Sequence, residues 1–126
     1  MNIMFGGCTL AHKPRLVAPW RAYVQGLGPE IADAVEAVVT RPDMIGDLKG
    51  TTVPVFSIAG AQDTAYPVPI SGAGIAEATG GPFVAIEGAG HSVALEKPDE
   101  VAGHVDWWLS KTCRRGFRCI PARRRG

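Results

Sequence analysis

The sequence offers no apolar stretch long enough to cross a bilayer, few cysteines, and no basic residue ahead of its first apolar segment. The uncharged run from Thr51 to Gln62 contains Pro54 and Gly60. It falls well short of the roughly 20 apolar residues that a membrane span requires, so no membrane partner is expected. The first basic residue is Lys13, behind the apolar N-terminal residues, so the charge order of a secretory signal is missing and a cytoplasmic location is expected. Three cysteines, Cys8, Cys113 and Cys119, give no disulfide framework, because the count is odd and two of them fall near the C-terminal end. Their spacing does not supply the paired ligands of a zinc site. Cys8 reads as a small buried apolar residue. No metal and no cofactor is implied.

What is present fits one small domain with a packed core: 126 residues, 46% hydrophobic and 20% charged, the composition of an ordinary globular chain. The net charge of +1 hides an uneven distribution. Residues 111–126 hold seven basic groups and no acidic ones, while residues 1–110 hold six basic and twelve acidic groups, so a body of −6 precedes a tail of +7. A basic tail can bind phosphate backbones by charge alone. The readings favoured over that one are a disordered terminus and a run-on of the reading frame, because the Arg, Cys, Gly and Pro vocabulary of the tail breaks with everything before it. No nucleic-acid partner is expected.

Residues 1–28 are punctuated by Gly6-Gly7, Pro14, Pro19, Gly26 and Gly28, with Trp20 and Tyr23 as expected anchors and no clear periodicity. Gly28-Pro29-Glu30 has the form of a helix start. Ile31, Ala34, Val35 and Val38 then repeat on one helical face until Arg41-Pro42. Asp43 is placed to cap a short turn through Met44, Ile45 and Leu48 that ends at Gly50. Val53 to Gly60 reads as a strand buried on both faces, with Pro54 near its start, where a strand tolerates it. A short helix is expected around Ser71 to Ala78, closed by Gly80-Gly81, then a second strand over Pro82 to Ile86. A last helix opens at Pro98-Asp99-Glu100 and carries Val101, Val105, Trp108 and Leu109 on one face. The order α, β, α, β, α implies parallel pairing with right-handed crossovers, an α/β fold. Trp107 and Trp108 are expected in packing, and Glu87 as a solvated charge at a strand end.

Open parallel sheets place their ligands beyond the C-terminal ends of the strands. Two polar residues stand there: Asp63 after the first strand and His91 after the second. A carboxylate beside one imidazole nitrogen fixes the tautomer and leaves the other nitrogen free to accept a proton from a nucleophile. The glycines around His91 are expected to let the backbone turn sharply. Glu96 is placed to hold the His91 loop by accepting backbone hydrogen bonds. His12 and His104 have no partner at ligand spacing, and His104 is expected at the surface.

Gly60-Ala61-Gln62-Asp63 followed by Pro67, then Gly88-Ala89-Gly90-His91-Ser92 and Glu96-Lys97-Pro98-Asp99-Glu100-Val101, together resemble the C-terminal part of the α/β-hydrolase fold. The resemblance is strongest over residues 50–110, extends in part to Trp20–Gly50 as the end of a helical cap, and is absent from residue 111 onward. It implies residues 1–49 as a cap-derived helical segment, 50–110 as the C-terminal part of the hydrolase core, and 111–126 as a basic tail. It also implies Asp63 as the catalytic acid and His91 as the base.

The family nucleophile occupies a G-x-S-x-G turn between a strand and a helix. None of Ser57, Ser71, Ser92 or Ser110 lies in such a motif, and Ser92 adjoins His91 too closely in sequence to be directed at it. No Gly-rich segment is available for the oxyanion-hole amides, worth several kcal/mol where present. Two functions follow as expectations. One is a hydrolase of the ester, lactone or carbon–carbon type acting on a small-molecule substrate once a nucleophile is supplied. The other is a catalytically inactive truncated fragment or a partner-dependent subunit. Either way, a buried strand lacking a neighbour leaves an apolar edge, so oligomers or aggregates are expected.

Overall fold

The computed structural model describes residues 3–113. The basic run from Arg114 onward and Cys119 lie outside the described residues. The chain forms α1 (Gly7–His12), α2 (Pro14–Gln25), a 3-10 turn (Pro29–Ile31), α3 (Ala32–Thr40) and a second 3-10 turn (Ile45–Leu48). There follow β1 (Ser57–Gly60), a third 3-10 turn (Val68–Ile70), α4 (Gly72–Thr79), β2 (Phe83–Ile86), α5 (Val93–Glu96) and α6 (Pro98–Cys113). The two strands pair in parallel, with Ser57 opposite Phe83 and Gly60 opposite Ile86, and α4 makes the crossover between them. The fold is α/β. Among the described residues no helix is long and apolar enough to cross a membrane.

Local chemistry sets most of these boundaries. Pro14 opens α2 in its first turn, where its missing N–H is no loss. Asp43 Oδ1 accepts the Ile45 N–H at 2.9 Å and caps the turn expected there. Glu30 accepts the Gly28 N–H at 2.9 Å. The backbone amides of Glu30 itself and then of Gly28 hold its carboxyl below the usual glutamate value, so the Pro29 start is capped by its own neighbour. Asp99 and Glu100 lie in the first turn of α6, at the positive end of its dipole.

Several expectations change. The strand expected over Val53–Gly60 pairs only from Ser57 onward. Pro54 has no N–H to give a ladder, and Val53 stands 66% exposed. Phe56 instead contacts α6: its ring lies 6.0 Å from Trp108 in a stacked arrangement and 6.0 Å from Trp107 edge-on. The apolar face of α3 exists in sequence but has no cover, since Ile31, Val35 and Val38 are exposed and no residue of α3 is buried. The N-terminal stretch, unreadable by periodicity, is helical, and its anchor is the buried Phe5, which meets Trp20 edge-on at 6.5 Å. Tyr23 touches Trp20 but remains exposed. Cys8, expected in the interior, is exposed on α1.

The interior is small and includes Phe5, Val17, Ala59, Ile86 and Ala89. At the C-terminal ends of the strands it narrows until backbone touches backbone. A Cβ on Gly60 would collide with the Gly90 carbonyl oxygen, and one on Gly90 would collide with the Gly6 nitrogen. Three chain segments therefore stack through positions that admit no side chain. Gly60→Ala must push the Gly90 loop away, and is expected to cost about 1–3 kcal/mol as a lowered urea midpoint. An unchanged midpoint would mean that the three segments are not closely apposed.

Candidate active site

Asp63 is oriented by its own turn. Its N–H bonds the Gly60 carbonyl at 3.1 Å, and its Oδ1 accepts the N–H groups of Ala65 and Tyr66, each at 2.9 Å. This is the usual way an aspartate organises a turn. One carboxylate oxygen is thereby committed to the loop, which leaves Oδ2 for a second partner. That partner is His91, whose Nδ1 lies 2.9 Å from Oδ2. The Asp63 side chain is 8% exposed and the His91 ring 43% exposed, so a shielded acid supports a ring that still reaches solvent. With Nδ1 donating to the carboxylate, the neutral ring carries its proton there and presents bare Nε2 as the acceptor.

The turn that brings His91 forward uses its glycines for two purposes. Gly88 has a φ of +70°, a left-handed conformation that favours glycine. Gly90 has no such φ, and its missing side chain serves the close approach to Gly6. Asp63 and His91 share an open cleft of about 710 Å³ whose walls include Val38, Arg41, Phe56, Tyr66 and Ile75. The Arg41 guanidinium lies 5.9 Å from the centre of the Tyr66 ring, within reach of a cation–π contact.

Glu96 has no exposed surface. Its Oε1 accepts the Gly90 N–H and its Oε2 accepts the Gly6 N–H, both at 2.8 Å. The expected bond to the His91 loop is therefore present, and a bond to the N-terminal loop accompanies it. Further links join the same partners. The Ser92 N–H bonds the Met4 carbonyl at 2.9 Å, the Gly7 N–H bonds Gln62 Oε1 at 2.8 Å, and Lys13 Nζ donates to the Glu96 carbonyl at 2.5 Å. Sequence reasoning missed Gln62 and the Met4–Gly7 loop. The one available signal was Gly6-Gly7, a pair fit for close backbone approach.

The remaining candidates fall away from the pair. No serine hydroxyl among the described residues is hydrogen-bonded to His91: the hydroxyl of Ser57 donates to Gly72, that of Ser71 to Pro67 and that of Ser110 to Trp107. His12 Nδ1 lies 3.1 Å from the Cys8 carbonyl one turn earlier on α1. His104, expected at the surface, is half-buried on α6. Among the described residues no three His, Cys, Asp or Glu side chains are grouped to hold a metal ion.

By its likeness to a solved structure, the parallel pair of strands with flanking helices is part of an α/β-hydrolase fold. The solved structure of a proline iminopeptidase-related protein from Thermus thermophilus is similar to it, with a TM-score of 0.59 and 21% sequence identity over 86% of this chain. The likeness covers 38% of that protein, so this chain spans well under half the length of the structure it matches. No family model and no curated protein matches the sequence.

The pair's geometry is checked by histidine-selective ¹⁵N labelling, which gives signals from only three residues, His12, His91 and His104. His91 is expected as the Nδ1–H tautomer, and Asp63→Asn should shift it toward a mixture with Nε2–H. Retention of the pure Nδ1–H form in Asp63→Asn would show that the carboxylate does not select the tautomer.

Proposed function

We propose that this chain supplies the acid and the base of an α/β-hydrolase site that cleaves an ester, lactone or carbon–carbon bond by a nucleophile–His–acid triad. The observation that carries this reading is the 2.9 Å bond between His91 Nδ1 and Asp63 Oδ2, made at two successive strand ends beside an open cleft. In the ester case, His91 Nε2 takes the proton of a nucleophile hydroxyl as that oxygen bonds the carbonyl carbon and the carbonyl electron pair moves to oxygen. Collapse of the tetrahedral species expels the leaving alcohol, which receives the proton from His91. Water then repeats the sequence on the acyl intermediate and frees the acid. Asp63 stabilises the imidazolium formed in each step and holds the ring in place.

The sequence contains no G-x-S-x-G turn, so the nucleophile of this scheme is not among these residues. The chain alone is expected to hydrolyse a panel of unactivated alkyl esters no faster than buffer. Turnover that disappears in His91→Ala would mean that a nucleophile lies within this chain, and would overturn the partial-site reading. In a chimera joining this chain to an α/β-hydrolase segment that carries the nucleophile turn but no acid or His, Asp63→Asn and His91→Ala should each abolish hydrolysis. A soluble, active chimera indifferent to both substitutions would remove the catalytic reading altogether.

The second reading, a subunit that acts only beside a partner or forms oligomers, is favoured by the open edge of β1. Ser57 and Ala61 donate their N–H groups toward β2. By the alternation of a strand, Ile58 directs its N–H and carbonyl the other way. The uncovered apolar face of α3 adds to this. Sedimentation velocity is expected to find dimers or larger species, and a monodisperse monomer that melts cooperatively would contradict this reading.

A further inference from the structure

We infer that Glu96 and the Met4–Gly7 loop together form a bracket that positions the Asp63–His91 pair, which makes Glu96 a positioning residue for the base; this inference rests on the function proposed above. The residues that touch the N-terminal loop are the sequence neighbours of the pair. Gly90, before His91, is joined to Gly6 through the Glu96 carboxylate. Ser92, after His91, donates to Met4. Gln62, before Asp63, accepts from Gly7. His91 is thus held on both sides and Asp63 on one by a single stretch of four residues, more than fifty positions away in sequence.

The chemistry favours a carboxylate at position 96. Two N–H donors approach from segments 84 positions apart, and each takes a separate oxygen of Glu96, an arrangement that suits a group with two acceptor oxygens and no donor. A glutamine offers one acceptor and turns an NH₂ group toward the other amide, leaving a buried donor facing a donor. The close approach of Gly90 to Gly6 sets the distance that the carboxylate must bridge, so the glycines and the acid act on the same gap.

Two measurements on the full chain test this: the His91 tautomer by ¹⁵N labelling, and amide exchange by mass spectrometry over peptides spanning 4–13 and 86–93. In Glu96→Gln the His91 ring is expected to leave the pure Nδ1–H form. Exchange of one or both peptides should rise at least tenfold, with the near-ultraviolet dichroism of the Phe56, Trp107 and Trp108 cluster retained. Glu87→Gln, at an exposed acid on the end of β2, should change neither. Gln62→Ala should release the Gly7 amide and loosen the tautomer preference without touching the buried acid. A folded Glu96→Gln chain with wild-type tautomer and exchange overturns the bracket while leaving the proposed function standing. Should Glu96→Gln lose its dichroism, the outcome passes to Gln62→Ala, and a wild-type His91 tautomer there overturns the bracket as well. A wild-type chain without the Nδ1–H form removes the pair itself, and both readings fall with it.

Discussion

Taking the Glu96 carboxylate out of water would cost several kcal/mol if it were left unpaired. Two backbone N–H donors at 2.8 Å offset much of that cost, since hydrogen bonds to a charged group are shorter and about twice as strong as neutral ones. The compensation works only if both donors reach the same side chain, which requires Gly6 and Gly90 to lie almost in contact. That requirement runs through the site. It excludes side chains at Gly6 and Gly90, draws the first residues of the chain against the strand ends, and fixes the turn from which His91 projects. Asp63 is held by two amides of its own loop and, through neighbouring Gln62, by the Gly7 amide, so the hydrogen-bonded pair is formed where two braced loops meet.

Such bracing matters because the hydrophobic core is slight. Two four-residue strands bury little, and α3, which ought to close the apolar interior by its pattern, leaves its valines in water. The aromatic contacts of Phe56 with Trp107 and Trp108 tie α6 to the sheet, and Phe5 with Trp20 ties α2 to the N-terminal loop. Between these two clusters the polar network around Glu96 does the joining. In a protein of this size, specific hydrogen bonds are asked to fix geometry that a larger core would impose through packing.

The parts of this arrangement that were legible in the sequence are those written in local chemistry. Proline followed by acids marked the start of α6, a double glycine closed α4, and apolar runs marked both strands, so the α/β order and the placement of Asp63 and His91 at strand ends could be read directly. Pattern failed wherever cover depended on distant residues. Ile31, Val35 and Val38 have the spacing of a buried face, but spacing reports what a helix could bury and not whether a neighbour is present. Cys8 reads as buried by its type, while its exposure is set by how α1 sits on the domain. The N-terminal loop was opaque for the same reason. Its role lies in three hydrogen bonds from backbone groups, which any sequence could supply, and glycine at positions 6 and 7 marks only that something comes close.

The distribution of exposure across the pair bears on what kind of chemistry the site can support. Asp63 is almost wholly shielded, with both oxygens occupied, one by backbone amides and one by the imidazole. His91 keeps much of its ring open toward a cleft bordered by Arg41 and Tyr66. A structural ion pair does not require such asymmetry. The proposed function uses it: a shielded acid can hold one tautomer of the base, and an open base stays reachable by a group whose proton it would take. The cleft's remaining deficiency is then specific. Under the proposed function it holds the base and its acid between apolar and charged walls, and among the described residues no serine hydroxyl is hydrogen-bonded to His91. On that proposal, a nucleophile supplied from elsewhere would enter this cleft beside His91.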